Sequence, residues 1–557
     1  MSRSHDDELN SSEITPHHIA PQQTLGHVQL QDGVTGDTLL VPQPSSDPND
    51  PLNWSKGFKT YISLLTCVAL VWVNFFAAGP STLMVSIVID MLGAYPPDPH
   101  HPESLSPAAI SKFQHGITNA ALLFSTTSLV AGVSNLLWVP LAIKYGRRPV
   151  YAFTFAAFGL CCIWSAKATN YGSLLASRIV ASWFAGAAEC VAPITIADIS
   201  FLHERGVMTA MYSAALSTGA ALGSMVSGLM SISETWRTFH YLNAALVLAT
   251  TLLIVLTMPE TAYQRDLGLT EVRITATDTN KLESTSASQV EQVEVENIPP
   301  KKSFIDRMGF NYSSLTHESI WKIAFRPVPV LLLPPVLWST VSFGIGIGIF
   351  VILGTTAATA FSQIYHFTVW QIGLVWISSI IGNLLGIPFG GYFSDWVANR
   401  ATSKNHGIRE PEMRLPAVSI AMVAYPGSLL LYGLGIQYEA HWIVPTLGMF
   451  LFSFGSSAAI GISVVYTIDC YRPIAGEIVV SQVVFKSFIT FLMSFYANPW
   501  VDKAGYAGSF VAMAAFSFVI LALWIPLYIW GKKIRQATFK WHVMRLAHWA
   551  EDRETGE

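Results

Sequence analysis

The segment GITNAALLFSTTSLVAGVSNLLWVPLAI at residues 116–143 contains no Asp, Glu, Lys or Arg, and KYGRRPV follows it at 144–150. A helix needs about 20 mostly apolar residues to cross the hydrocarbon core of a bilayer. The segment meets this length, and a basic cluster favours the cytoplasmic end of a spanning helix. The sequence therefore predicts a transmembrane helix whose carboxyl end faces the cytoplasm.

The composition of the whole chain is also typical of a membrane protein. Of its 557 residues, 51% are hydrophobic and 12% are charged, and the mean hydropathy is +0.42, well above that of an ordinary soluble domain. The 32 basic and 36 acidic side chains nearly balance, which argues against a nucleic-acid partner. All five cysteines lie inside apolar stretches, so we expect no disulfide framework.

Long uncharged intervals predict twelve spans in two groups of six. The interval from Pro327 to Ser394 has no charged residue and is too long for one helix, so we divide it near His366. The predicted spans are 58–80, 116–142, 149–168, 172–197, 207–230, 237–258, 328–356, 368–393, 415–436, 441–467, 476–500 and 507–531. They divide the chain into an N-terminal tail (1–57), a first bundle (58–258), a linker (259–327), a second bundle (328–531) and a C-terminal tail (532–557).

The basic residues predict the orientation. Placing both termini in the cytoplasm leaves mainly Lys112, Lys167 and Lys503 on the outer side. The linker is rich in Ser, Glu and Thr, which predicts a mobile cytoplasmic segment. The basic tail at 532–545 either lies along the anionic inner leaflet or is a solvated helix end. We expect a monomeric, multi-pass protein of the plasma membrane.

Several motifs carry a resemblance to a known family. VPLAIKYGRRPV (139–150) and GGYFSDWVANR (390–400) occupy corresponding places in the two halves. Further motifs are DPNDPLNW (47–54), ETWR (234–237), MPET (258–261), PEMRL (411–415), YTIDCYRPIAGE (466–477) and ANPWVDKAG (497–505). The sequence resembles fungal members of the major facilitator superfamily, in the 12-helix drug:proton antiporter family, close to the branch of cation and polyamine importers. The resemblance implies an all-α membrane protein with 12 transmembrane helices in two six-helix bundles that open alternately to either side.

The resemblance also implies gating residues at the cytoplasmic helix ends. The family loop motif has a Gly, an Asp and a Gly-Arg-Arg-like cluster, but Val139 and Ile143 occupy the Gly and Asp positions of the first copy. Such a loop forms a charge latch that closes in one conformation. The implied gating residues in the two loops are Gly146, Arg147, Arg148, Gly391, Asp395 and Arg400. Independently, Asp198 and Asp469 occur at matching predicted cytoplasmic helix ends of the two halves and are followed by Arg205 and Arg472. We expect these four also to take part in gating, with solvated helix termini as the alternative.

Two helix motifs of the family are present with substitutions. In the fourth span, RIVASWFAGAAE (178–189) has Ser182 where Gly is usual. In the fifth span, GAALGSMVSG (219–228) has Ser224 where the motif associated with antiport has Pro. The small residues still predict close helix packing, but they do not establish antiport.

Three ionisable residues, Arg178, Glu189 and Lys486, fall well inside predicted spans. Each unpaired charge costs roughly 2.5–3.5 kcal/mol at a helix centre on insertion scales, so all three should face water, ligand or one another. Our hypothesis is that Glu189 takes up and releases a coupling proton, Lys486 is its countercharge, and Arg178 orients substrate or a second acid. A fixed structural ion pair is the alternative.

Five uncharged residues are further candidates for the pathway of proton or substrate. Asn74 and Asn383 are able to hydrogen-bond a ligand, although contacts between helices are the alternative for each. The aromatic candidates for a binding pocket are Trp338, Trp376 and Tyr466, and positions facing lipid or its interface are the alternative for these.

The sequence contains no zinc-protease pattern, phosphate-binding Gly-Lys-Ser/Thr loop or nucleophile elbow. We therefore expect a transporter that is not an enzyme and needs no metal or cofactor. The leading hypothesis is proton-coupled efflux of a toxin, drug or secondary metabolite. The alternatives are a proton-coupled importer of organic cations, polyamines or another nutrient, and a nutrient sensor with a transporter fold.

Overall fold

The computed structural model describes residues 28–29, 45, 47–95, 106–263, 318–405, 408–471, 474–539 and 541. Most of the predicted linker and of both predicted tails therefore lies outside the described residues. The described part is predominantly helical, apart from a two-residue antiparallel pairing of β1 (Val28–Gln29) with β2 (Ile408–Arg409). The predicted all-α membrane fold is confirmed.

The helices form two groups along the chain. The first group is α1 (Lys56–Ala78), α2 (Met84–Leu92), α3 (Pro107–Tyr145), α4 (Arg147–Ala166), α5 (Tyr171–Ile199), α6 (Leu202–Met230) and α7 (Trp236–Thr257). The second group is α8 (Ile320–Phe325), α9 (Pro327–Val330), α10 (Pro334–Gln363), α11 (Val369–Pro388), α12 (Ser394–Lys404), α13 (Val418–Gln437), α14 (Ile443–Cys470), α15 (Ala475–Ala522) and α16 (Trp524–Phe539). Shorter turns are the 3₁₀ segments Pro51–Asn53, Gly79–Ser81 and Pro411–Ala417 and the π-helical Phe389–Phe393.

Eleven helical segments of the described part are long and apolar enough to cross a membrane. The remaining predicted span, 207–230, corresponds to α6, which is less apolar because it is rich in Ser, Thr and Gly. Two predicted spans, 476–500 and 507–531, are joined in the structure through α15, which has non-helical backbone at Gly505 (φ 69°). Gly is the residue that tolerates this backbone conformation at least cost.

Local sequence explains where the long uncharged interval of the second half divides. Helix α10 ends at Gln363, and His366 then adopts a left-handed φ of 55°. Thr368 and Gln371 form a capping box that starts α11, satisfying backbone N–H groups that a helix start leaves without partners. The predicted division near His366 is thereby confirmed.

Several helix boundaries differ from the predicted spans, and the span predicted at 328–356 is observed as α10 at Pro334–Gln363. Helix α3 begins at Pro107, with Ser106 as its N-cap, instead of near 116. The last helix continues to Phe539 instead of ending at 531, because its polar end has partners in the turn before α13. Arg535 contacts both carboxylate oxygens of Glu412 at 2.8 Å, and the predicted C-terminal tail is helical up to that point.

The ETWR motif at 234–237 ties the amino-terminal end of α7 to α2. Both Trp236 (Nε1, 3.1 Å) and Arg237 (Nη1, 2.6 Å) donate to Asp90 Oδ2. Partial burial opposes ionisation of Asp90, but these hydrogen bonds and the nearby guanidinium outweigh it and lower the pKa of the carboxyl group.

The two bundles meet closely along α6 and α11, α3 and α15, and α6 and α14. Small residues permit these contacts. A Cβ atom on Gly228 of α6 would lie 2.7 Å from Gly373 Cα on α11, and one on Gly132 of α3 would overlap Ser487 of α15. At the opposite end of α6, a Cβ on Gly461 of α14 would lie 3.8 Å from Ala210 Cα. The bundles are therefore in contact near both ends of α6.

Gly228→Val should destabilise this contact. The new side chain would overlap Gly373 and the Val369 carbonyl, and overpacking of this kind typically costs about 1–3 kcal/mol. We expect a lower midpoint of thermal unfolding. The control is Gly427→Val on α13, where an added Cβ meets no atom within 4 Å, so its midpoint should stay near wild type. Equal midpoints for the two variants would contradict the close approach.

Candidate functional site

A cavity of about 100 Å³ lies between the two bundles. The first bundle contributes residues of α1, α3, α5 and α6 to its lining, and the second contributes residues of α10, α11 and α15. This volume is well below the roughly 300–1,000 Å³ of a typical small-molecule pocket. The cavity must widen before it can hold a drug-sized molecule.

Glu189 and Lys486 form an ion pair across this cavity. Glu189 Oε2 on α5 lies 3.0 Å from Lys486 Nζ on α15, and the two residues are 7% and 4% exposed. Both line the cavity. Lys486 Nζ also lies 4.9 Å from the centroid of the Phe343 ring, which is a favourable position for a cation. The ion pair therefore joins the first bundle to the second at the cavity wall.

Arg178 has a different position from the other two charges. Its guanidinium donates to three backbone carbonyls, those of Leu123, Phe76 and Ala77. It also lies 4.7 Å from the ring centroid of Phe76 and 5.3 Å from that of Phe124. Arg178 is absent from the cavity lining and pairs with no acidic side chain of the described residues. It ties α1 and α3 to α5 behind the cavity wall that Phe76 and Phe124 form.

The five uncharged candidates separate into two groups. Asn74 and Trp376 line the cavity, and Trp376 packs against Phe350 with 5.4 Å between the ring centroids. Trp338 and Tyr466 are buried in the second bundle, where their ring centroids lie 6.1 Å apart. Asn383 is fully buried on α11, and neither of its amide atoms has a hydrogen-bond partner among the described residues.

Hydroxyl groups form much of the polar lining, and most of them were not candidates in the sequence. The hydroxyl residues at the cavity are Ser81, Thr127, Ser128, Ser182, Ser217, Ser224 and Thr355. Ser182 and Ser224 are the two positions where the helix motifs depart from the family pattern. This departure was the signal in the sequence that could have identified these two residues as candidates for the cavity lining. Ser224 Oγ lies 3.4 Å from Ser81 Oγ across the seam between α6 and the turn after α1.

The first loop motif forms a cluster within the first bundle. Arg147 Nε lies 3.0 Å from Asp198 Oδ2. Gly146 has a φ of 99°, and a Cβ there would overlap the Glu260 carboxylate. Glu260 in turn accepts from the backbone N–H groups of Arg147 (2.8 Å) and Arg148 (3.1 Å) at the start of α4. A carboxylate at a helix start is stabilised by the unpaired N–H groups and the helix dipole. Glu260 was missed as a site residue, although it belongs to the family-like MPET segment at 258–261.

The second loop motif forms a similar cluster within the second bundle. Arg414 Nη2 lies 2.8 Å from Asp395 Oδ1 and 3.5 Å from Asp469 Oδ2. Arg409 Nη2 also contacts Asp395, at 3.2 Å. Burial, together with neighbouring Arg414, lowers the pKa of the Arg409 guanidinium. The carboxylates of Asp395 and Asp469 therefore compensate two buried positive charges that lie close to each other. Arg414 was not a sequence candidate, although it is part of the PEMRL motif.

The remaining gating candidates have no acidic partner that the structure describes. Gly391 is buried in the π-helical turn, and Arg400 lies 5.7 Å from the Trp396 ring centroid. The side chain of Arg205 and the whole of Arg472 lie outside the described residues. The two clusters built around Asp198 and Asp395 each connect helices of one bundle, so they brace the bundles individually.

Sequence comparison identifies the family. Residues 64–478 match the model of the Major Facilitator Superfamily. The chain belongs to the Major Facilitator Superfamily (MFS). Members of this family are transporters, so the protein is an MFS transporter of small molecules and not an enzyme.

Relatives of this MFS transporter are found in fungi. An MFS-type transporter of Schizosaccharomyces pombe is 25% identical, with 91% of this chain and 89% of the relative aligned. Protein HOL1 of Saccharomyces cerevisiae is 24% identical, with 91% of each chain aligned. The fold is shared with the proton:xylose symporter XylE, at 15% identity and a TM-score of 0.56 over 85% of this chain and 96% of that one. Membership of the superfamily and fungal relatives are thus confirmed, whereas assignment to the drug:proton antiporter branch stays a prediction.

Glu260→Gln should destabilise the start of α4 in this MFS transporter. The substitution replaces an acceptor oxygen by an NH₂ group that faces backbone N–H groups, and an unsatisfied buried group costs about 1–3 kcal/mol. We expect a lower midpoint of thermal unfolding. Glu234→Gln is the matched control, because Glu234 is exposed and accepts from the side chain of Thr238. The capping role is wrong if both variants unfold at the wild-type temperature.

Proposed function

We propose that this MFS transporter exports a small organic molecule in exchange for protons, and that Glu189 carries the coupling proton. The observation that carries the proposal is the buried ion pair between Glu189 and Lys486, which joins the two bundles at the cavity wall. Alternating access requires the bundles to rock against one another around a central site. A pair that bridges them at this site is placed to link the rocking motion to protonation.

The energetics of a buried pair support this link. Removing one partner of such a pair typically costs about 3–5 kcal/mol, because the other charge is left without compensation. Protonation of Glu189 removes its negative charge and therefore weakens the attraction to Lys486. Separation of α5 from α15 becomes less costly when Glu189 is protonated. Binding of a proton thus shifts the equilibrium between conformations, which is the requirement for coupling.

The surroundings of the two charges favour exchange over cotransport for a cationic substrate. Lys486 keeps a second favourable contact, the Phe343 ring, whereas Glu189 is the acidic residue among those that line the cavity. A substrate with one positive charge competes with the proton for Glu189, so the two occupy the site alternately. A substrate anion would instead bind Lys486 after Glu189 is protonated, and it would travel with the proton.

The lining favours amphipathic substrates with little net charge. Phe76, Phe124, Phe350 and Trp376 supply apolar surface, and the seven hydroxyl residues described above supply hydrogen-bond partners. Each hydroxyl can accept from a ligand even where it donates to its own helix. We propose that substrates are toxins, drugs or secondary metabolites of this character, exported across the plasma membrane.

Import of polyamines is less well supported by the cavity. A polyamine carries several positive charges, and a single carboxylate already paired with a lysine cannot balance them. The carboxylate beside aromatic rings does favour organic cations with one charge. Proton-coupled transport of such cations is therefore the second candidate function, and only measured fluxes distinguish export from import.

We also propose that the protein is a monomer with both termini in the cytoplasm. The support is the distribution of basic residues in the sequence, because the clusters around Asp198 and Asp395 then lie on the cytoplasmic side. In this orientation the Gly228 and Gly373 contact lies toward the outer face.

Glu189→Gln should remove the response of the bundles to pH. All five native cysteines are buried, so spin labels can be placed on cysteines introduced at the exposed positions Ser233 and Gln363, one in each bundle. Electron–electron distance measurements in nanodiscs should show a wild-type distribution that changes between alkaline and acidic pH. The neutral amide imitates a protonated Glu189, so the variant should show the acidic distribution at both pH values.

The matched control is Glu439→Gln, an exposed acid in the second bundle, and it should respond to pH like wild type. A wild-type response in Glu189→Gln would show that this carboxylate is a fixed structural partner of Lys486, and the proposed coupling role would be wrong.

Proton release from membrane vesicles should distinguish the candidate substrates. In acid-loaded vesicles that contain the transporter, rhodamine 6G, an amphipathic cation with one charge, should cause protons to leave. Spermidine should cause much less release, because of the single cavity carboxylate. Vesicles with Glu189→Gln supply the background for both compounds. Greater Glu189-dependent release with spermidine would show that polyamines exchange for protons better than cations with one charge, and the proposed substrate class would be wrong.

A further inference from the structure

A second cavity, of about 480 Å³, opens on the surface at the junction of the two bundles. Val207 of α6 forms one side, and residues of the π-helical turn and α12 form the other. It lies near the cluster around Asp395, so it belongs to the same end of the molecule as both loop motifs. None of its residues lines the cavity that holds Glu189 and Lys486.

An exposed aromatic stripe leads along the second bundle to this cavity. Phe389, Tyr392 and Trp396 are 37%, 64% and 55% exposed, at the spacing of one helix face. The opposite face, at Ser394 and Ala398, is buried against the bundle. Exposed aromatic residues in a membrane protein concentrate at the level of the lipid headgroups. The stripe therefore passes from the apolar surface to the headgroup region.

The stripe ends at a positive charge. Arg400 is exposed and lies over the Trp396 ring, 5.7 Å from its centroid. No acidic side chain of the described residues forms an ion pair with it. Asp395, which also borders the cavity, is already shared between Arg409 and Arg414. Among the described side chains, the Arg400 guanidinium at the cavity wall therefore has an aromatic neighbour but no acidic partner.

The Asn399 side chain adds a hydrogen-bond donor beside Arg400, whereas the hydroxyl hydrogen of neighbouring Ser403 is already donated to a backbone carbonyl. Asn399 Oδ1 accepts from Arg409 Nη1 at 3.3 Å, which leaves the amide NH₂ group as a donor. Ser403 donates to the Asn399 carbonyl at 3.0 Å. Arginine with neighbouring amide donors is a suitable partner for phosphate oxygens.

We propose that this cavity binds the phosphate of an anionic phospholipid, with Arg400 as the main partner and the acyl chains along the stripe of Phe389, Tyr392 and Trp396. Continuity of the stripe with the cavity favours a lipid over a soluble anion, which would gain nothing from the aromatic surface. Basic pockets at the cytoplasmic ends of membrane helices are known binding places for such headgroups. This inference requires the membrane fold and is independent of which substrate is transported.

The lipid would also influence the conformational equilibrium. Val207 belongs to the first bundle and Arg400 to the second, so a bound headgroup contacts both sides of the junction. A ligand shifts an equilibrium toward the state that it binds more tightly. The bound lipid therefore stabilises the conformation in which this end of the transporter is closed.

The test uses the purified full-length protein in neutral detergent with added phosphatidylserine or phosphatidylcholine. We expect phosphatidylserine to raise the midpoint of thermal unfolding more than phosphatidylcholine does. Arg400→Gln should lose most of this difference. The matched control is Lys404→Gln, which removes an equal charge one turn further along α12 at an exposed position outside the cavity lining, and it should keep the difference.

Further arms identify the source of the phosphate. Trp396→Leu should also reduce the difference, because it removes the aromatic platform while the charge remains. Inorganic phosphate alone should give no stabilisation. The proposal is wrong if Arg400→Gln retains the wild-type difference, if Lys404→Gln loses it equally, which would indicate diffuse attraction, or if inorganic phosphate reproduces the effect, which would indicate a soluble-anion site.

Discussion

The structure depends on a charge pair held where charges are costly. Glu189 and Lys486 come from different bundles and meet at the wall of the central cavity, 3.0 Å apart. Each would destabilise its helix if left alone in an apolar environment. Separating the bundles at this point would leave both charges without a partner, and under the proposed function protonation, hydration or a bound ligand would lower that cost. The contact between the bundles at the cavity therefore depends on the charges of these two side chains.

The rest of the structure makes each bundle stiff enough for that junction to matter. Arg178 fastens α1 and α3 to α5 through backbone carbonyls, and close glycine contacts bring α6 against α1. The cluster around Asp198 connects helix ends within the first bundle, and the cluster around Asp395 does so within the second. Packed cores move as units and do not deform continuously, so the proposed protonation of Glu189 would act on the interface between whole bundles.

The cavity lining combines aromatic rings and hydroxyl groups with few charges. Aromatic rings provide area, and hydroxyl groups provide hydrogen bonds in many directions. Ser182 and Ser224, which replace the usual residues of two family motifs, both lie at this surface. Under the proposed function, these two departures from the family pattern are placed where they would affect substrate choice.

The sequence by itself determined the membrane fold, the helix order and the three intramembrane charges, because charge-free length and isolated ionisable residues are properties of the chain. It could not decide which charges meet. Arg178 and Glu189 lie on one helix, yet only Glu189 reaches the cavity. The sequence also could not show whether Asn383, Trp338 and Phe350 point toward the cavity, the bundle core or lipid. A helix that is apolar on every side gives no periodic signal for its inner face. Only tertiary packing, which sets the rotation of each helix against its neighbours, brought Glu189 to Lys486 and Arg414 to Asp469.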